Sequence, residues 1–277
     1  MGICDLIPGV SGGTIAFITG IYTRLITAVK SFSPTLLYNL TTYPFNKNQE
    51  LKQNIKNLDL AFLITLFLGI AIAILLGSKI IKFLLDNYFA YTLAFFAGLI
   101  LASSKILFNH IQNHKKLNIS FGAIGLLIGI SLAFLIPTNI TPTITYIFLG
   151  GFLTISAMFL PGLSGSFILL ILGLYEFMIN ALQDITNNLK TITIFLLGAI
   201  LGAFTISRII SFLFKKDKCK TIYLLLGLVI GALSIPIKEI IQMQAIQPSN
   251  IILLGIYFLL GAIFIIIIEN YQKKFIG

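Results

Sequence analysis

Apolar positions in this chain fall into long unbroken runs, with none of the alternation that marks half-buried strands. After an apolar opening interrupted by Asp5, such runs cover about 13–30, 60–77 with a continuation to Phe83, 89–108, 120–136 up to Pro137, 142–160, 164–182, 190–214, 221–237 and 250–268. Several reach the roughly 20 residues that a helix needs to cross the hydrocarbon core. Lipid admits only helices or closed barrels, and the runs are too continuous for barrel strands. The pattern therefore predicts an all-α integral membrane protein. Polar residues gather in one long loop, about 31–59, and in the shorter 109–119.

One stretch occurs twice. Residues 8–22 read PGVSGGTIAFITGIY and residues 161–175 read PGLSGSFILLILGLY, so Pro, Gly, Ser, Gly, a later Gly and Tyr recur at an offset of 153. Further along, Ser78–Phe83 lines up with Ser207–Phe212, Gly69 with Gly198 and Gly98 with Gly227, all at an offset of 129. The longer polar loop of the first half accounts for the drop. Three matched patches in order predict an internal duplication, 1–141 and 142–277, within a single transport domain.

The number of spans sets the relative orientation of the halves. The apolar run before each motif and the helix after it contribute an even number of crossings, whether they span fully or form a re-entrant hairpin. Three more runs separate the two motifs, so the total is odd and the second repeat is predicted to be inverted. Lysine placement agrees. One face receives Lys47, Lys52, Lys56, Lys115, Lys116, Lys215, Lys216, Lys218, Lys220, Lys273 and Lys274; the other receives little beyond Lys82, Lys190 and Lys238. That split fits the positive-inside rule and predicts a multi-pass protein of the cytoplasmic membrane with both termini cytoplasmic.

Composition agrees with the membrane reading: 57% of residues are hydrophobic and 10% charged, with mean hydropathy +1.01. The net charge of +10 is what loop lysines produce, so nucleic acid is not an expected partner. Cys4 and Cys219 stand far apart without metal-ligand spacing. His110 and His114, at i, i+4 in a polar loop, have no acidic neighbour to complete a metal site. No cleavable signal peptide is recognisable. Neither cofactor nor metal is expected.

The motifs carry the candidate chemistry. Pro8 and Pro161 lack an amide donor and break the preceding helix, while Gly9, Gly12, Gly13, Gly162 and Gly165 permit turns and bare backbone N–H groups. A helix beginning there presents those donors and its dipole to an anion. Ser11 and Ser164 can cap the helices, and Thr14 and Ser166 extend the polar surface. The competing reading is a packing kink, which small residues also favour. Packing is the expected role of the glycine pairs Gly125 with Gly129, Gly198 with Gly202 and Gly227 with Gly231. Among charges in or near apolar runs, Arg24, Lys79 and Arg208 are candidate anion contacts; Asp5 and Glu176 are candidates for a coupling proton or sodium. Lys79 and Arg208 share a repeat position, with snorkelling to the headgroups as their alternative role.

At MGICDLIPGVSGGTIAFITGIYTRLI together with FLPGLSGSFILLILGLYEFMI, the sequence resembles the bacterial polyprenyl-phosphate transporter family, over nearly the whole chain. That resemblance implies undecaprenyl phosphate as substrate, returned across the cytoplasmic membrane for lipid-carrier recycling in cell-wall synthesis. It matches the family's acidic residue to Asp5, its first motif to Pro8–Gly13 and its second to Pro161–Ser166. Two departures stand out: Thr23 replaces a usual acidic residue, and the apolar lead-in is short. The residues alone leave open a transporter of soluble organic anions or phosphate, an intramembrane lipid phosphatase, and a channel or scaffold. The phosphatase is disfavoured because neither histidine lies near an intramembrane charge. No catalytic residue is expected, and oligomeric state is not legible.

Overall fold

The computed structural model describes residues 1–5, 11–31, 58–109, 111, 113–135, 142–242 and 248–276. Pro8, Gly9, His110, Pro137 and the loop lysines Lys47, Lys52 and Lys56 lie outside the described residues, as do the side chains of Lys273 and Lys274. Among the described residues every regular element is an α-helix. In chain order these are α1 (Gly2–Asp5), α2 (Gly12–Ile18), α3 (Tyr22–Ser31), α4 (Leu60–Asn109), α5 (Lys116–Leu132), α6 (Ile144–Met158), α7 (Gly165–Ile171), α8 (Tyr175–Gln183), α9 (Ile185–Lys216), α10 (Lys218–Ala232), α11 (Ser234–Gln242) and α12 (Pro248–Ile276).

Four windows are long and apolar enough to cross a membrane: Leu75–Asn109, Ile185–Lys216, Lys218–Gln242 and Asn250–Ile267. Their outer faces are bare hydrocarbon, with Leu75 74% and Ile252 69% exposed. Exposure of this kind would be a liability in water and is the expected lipid-facing surface of a multi-pass protein. At 17 and 15 residues, α5 and α6 are shorter, about 26 and 23 Å long.

The structure corrects the two motif helices, which the sequence predicts as single elements over about 13–30 and 164–182. Each is broken. The axis turns by 115° between α2 and α3 and by 113° between α7 and α8. At the breaks Gly20 has φ +76° and Gly173 has φ +64°, a region that L side chains enter only at a cost. These glycines are 153 residues apart (173 − 20), the offset of the motif itself.

A second pair of breaks recurs at the other offset. The apolar runs 60–77 and 89–108 join in the 50-residue α4, whose only non-helical residue inside is Tyr88 (φ −136°, ψ 36°). The junction of α9 and α10 falls at Asp217, 129 residues later (217 − 88). Asp217 caps α10 by accepting from the Lys220 amide at 3.0 Å. Asp184 caps α9 through the Asn187 amide. The carboxyl of Asp217 is held below its ordinary value, first by the Lys220 amide and then by the Lys220 side chain.

Three long helix pairs make the body: α5 with α10, α6 with α9, and α4 with α12. Glycines let their backbones meet. A Cβ on Gly227 would lie 1.9 Å from the Gly122 carbonyl oxygen, on Gly125 2.0 Å from that of Leu224, and on Gly198 2.0 Å from that of Phe148. The sequence reading of these pairs as packing devices holds. Small residues at such crossings replace the hydrophobic drive that lipid removes. Inside, α3 inserts Tyr22, Leu25 and Ile26 against Ile210 of α9, Val229 of α10 and Leu93 of α4, forming the main buried cluster.

Candidate functional site

Each motif starts a helix of seven residues, and the two helix starts are brought together. Ser11 is the N-cap of α2, 2% exposed, and its Oγ accepts from the Gly13 amide at 3.1 Å. Thr14, 1% exposed, accepts through Oγ1 from the Gly162 amide at 2.7 Å. One motif thus satisfies a backbone donor of the other across 148 residues of chain. Gly162 adopts φ +91°, a conformation L side chains rarely enter, and a Cβ there would lie 3.0 Å from the Leu228 carbonyl oxygen and the Val229 Cα. Gly13 packs on the same segment: a Cβ there would sit 2.7 Å from the Met158 carbonyl oxygen. Tyr22 then donates from its hydroxyl to the Phe159 carbonyl at 2.8 Å. These contacts supply acceptors and donors to the strand of chain that Pro161 frees from α6.

The donors of the two helix starts are used differently. Asp5 reaches over α2 and its Oδ1 accepts from the Gly12 amide at 2.7 Å, so a carboxylate of the chain already occupies the position predicted for an anion. Its Oδ2 is buried without a partner among the described residues, and a Cβ on Gly12 would lie 2.4 Å from it. At the second motif Ser164 caps nothing with its side chain and instead shares a 2.8 Å hydrogen bond with Ser166. Beside Gly165, Thr154 is 5% exposed and its Oγ1 has no partner among the described residues.

The charged candidates separate. Arg24 is exposed and forms a two-pronged pair with Asp59, including Nη2 to Oδ1 at 3.0 Å, while its guanidinium covers the Phe62 ring at 4.3 Å. That pair holds the Asp59 carboxyl below its ordinary value. Glu176 opens α8 and is exposed. Lys79 is exposed on α4. Arg208 donates to its own helix at the Phe204 carbonyl, 3.1 Å away, and stacks 5.5 Å from the Phe204 ring. Asp5 with Gly12, and Thr14 with Gly162, are thus brought into direct contact, whereas Arg24, Lys79 and Glu176 are exposed. His114 meets the Tyr223 hydroxyl, and among the described residues no cluster of His, Cys, Asp and Glu could hold a metal.

An apolar groove of about 860 Å³ opens beside the junction. Gly13 and Tyr22 reach it from the motif, Leu25 and Val29 from α3, and Ala203 and Phe204 from α9. A second, of about 770 Å³, lies beside Ile15, Cys4 and Phe96. Neither groove was foreseeable from sequence, because helices distant in the chain form the walls. The Tyr22 contact had a sequence signal, the shared Tyr at the end of each motif, but not its acceptor.

Comparison with known proteins narrows the reading. No solved structure matches the chain. A protein of Vibrio cholerae named polyprenyl-phosphate transporter is 37% identical over 233 residues, covering 84% of this chain and 73% of that one. One of the same name from Staphylococcus aureus is 29% identical over 250 residues, covering 84% and 81%. Residues 1–270 match the family described as VCA0040-like, undecaprenyl phosphate translocase-like. The chain belongs to that translocase-like family.

Proposed function

We propose that the protein carries a polyprenyl phosphate across the membrane, with undecaprenyl phosphate as the substrate named for its family. The observation that carries this reading is the meeting of the two motifs, through Thr14 and Gly162, at the edge of an 860 Å³ apolar groove. A lipid phosphate needs both parts. Its headgroup must find donors at membrane depth, and its tail must remain in hydrocarbon. Family and relatives are named for translocation or transport, not for cleaving a bond.

The motif residues, described from Ser11 to Thr14 and from Pro161 to Ser166, line the headgroup's path in this account, with Pro8 and Gly9 adjoining by sequence. Asp5 is the coupling carboxylate. It can release the Gly12 amide to a phosphate when it takes a proton, which links substrate entry to protonation. Matched bends at Gly20 and Gly173 and matched breaks at Tyr88 and Asp217 support two duplicated units. The lysine split supports their inversion and a cytoplasmic-membrane location with cytoplasmic termini.

A soluble-anion transporter is the rival. The discriminating experiment is a paired assay in vesicles containing the protein: leaflet exchange of undecaprenyl phosphate, and uptake of radiolabelled inorganic phosphate. Lipid exchange without phosphate uptake is expected. Phosphate uptake without lipid exchange would contradict the proposal.

A further inference from the structure

Beyond the motif junction, cations adjoin two of the residues that line the large groove, Val29 and Phe204. Lys30, in the last turn of α3, donates from Nζ to Ser211 Oγ of α9 at 2.9 Å. Arg208 lies one turn earlier on α9, and Lys215 one turn later. Both are within electrostatic reach of Lys30. Among the described residues the only ion pairs are Arg24 with Asp59 and Lys220 with Asp217. Ser211 thus holds the Lys30 ammonium on the helix that carries Arg208 three residues earlier and Lys215 four residues later, with no carboxylate paired to any of them among the described residues, an arrangement whose mutual repulsion an anion relieves.

The cluster is continuous with the groove wall. Val29, the neighbour of Lys30, lines the groove, and so does Phe204, whose carbonyl and ring both hold the Arg208 guanidinium. An occupant of the groove thus has apolar wall along its length and cations beside Val29 and Phe204. This complementarity suits a long apolar chain ending in a phosphate. An arginine and two lysines offer charge-assisted donors to phosphate oxygens. A phospholipid with two acyl chains shares only the headgroup charge.

We infer that Lys30, Arg208 and Lys215 form a docking site for the phosphate of a polyprenyl phosphate whose tail lies in the groove lined by Val29, Ala203 and Phe204. The site lies at the face that carries the lysines of 215–220, apart from the motif junction, and serves as a headgroup station at one end of the path. It rests on the transporter reading given above.

The test is binding of radiolabelled undecaprenyl phosphate to the full chain in nanodiscs of phosphatidylcholine, with leaflet exchange measured on the same variants. Arg208→Gln and the double variant Lys30→Gln/Lys215→Gln are each expected to weaken binding roughly tenfold. Arg208→Lys should restore most of the loss. The charge variants should bind undecaprenol, which lacks the phosphate, as the wild type does; that result also shows that they are folded. Ala203→Phe, which fills the groove, should weaken both ligands. Wild-type binding by the double variant and by Arg208→Gln would overturn the site. So would displacement of the label by phosphatidylglycerol or inorganic phosphate as readily as by unlabelled undecaprenyl phosphate, since the cluster would then be a general basic surface. If the wild type neither binds nor exchanges undecaprenyl phosphate, the transporter reading falls as well. If the wild type and all variants bind and exchange it equally, only the docking site falls.

Discussion

Thr14 joins the two motifs with a single buried hydrogen bond, and its removal leaves the Gly162 amide without an acceptor. Thr14→Val keeps the shape and deletes the oxygen. Unfolding in detergent should show a loss of about 1–3 kcal/mol, the cost of stranding a buried donor. Thr14→Ser should recover most of it. The carboxylate caps give a pH signature. Because Asp217 is held below its ordinary value by Lys220, its contribution to stability is complete above the unfolded carboxylate value of about 4 and is lost as pH falls through the depressed folded value. Melting temperature should therefore fall below about pH 4, and Asp217→Ala should flatten that decline. Polar types and positions such as Ser11, Thr14 and Asp5 were legible in the sequence, but not their partners. Asp5 was read as a coupling group and lies on the very amide expected to meet the substrate. That outcome depends on how α1 sits against the start of α2, which local propensity does not encode.

At the scale of the helix, glycines in identical repeat register do different work. Gly69 and Gly198 are equivalent at the offset of 129, yet a Cβ on Gly69 meets nothing within 4 Å while one on Gly198 meets the Phe148 carbonyl oxygen at 2.0 Å. Gly69→Ala should be neutral or stabilising by about 0.5–1 kcal/mol, and Gly198→Ala destabilising by about 1–3 kcal/mol, both read from denaturation in detergent. Gly20→Ala separates conformation from packing: nothing lies within 4 Å of the added carbon, but φ is +76°. A loss of about 1–2 kcal/mol is expected from backbone strain alone. The apolar runs and their approximate ends were legible because burial in lipid demands them. The bends at Gly20 and Gly173 were not, although both glycines stand in the repeated motif. A glycine inside an apolar run is compatible with a continuous helix as well as with a turn, so the run alone does not select between them.

At the scale of the whole molecule, the two motif segments meet through Thr14 and Gly162 with a greasy groove beside them. Pairing of helices far apart in the chain, α5 with α10 and α4 with α12, explains why helix neighbours could not be read from chain order. If Asp5 carries the coupling proton, Asp5→Asn should keep exchange of the lipid but abolish its acceleration by a proton gradient, measured in vesicles with and without that gradient. The central claim is that the motif junction passes a lipid phosphate. It is tested most directly by the rate at which undecaprenyl phosphate exchanges between leaflets of reconstituted vesicles, for the wild type and for Ser164→Ala at equal amounts of folded protein. Exchange well above that of protein-free vesicles is expected for the wild type, with a marked loss for Ser164→Ala; a wild-type rate no faster than that of protein-free vesicles would contradict a lipid-phosphate path through the junction.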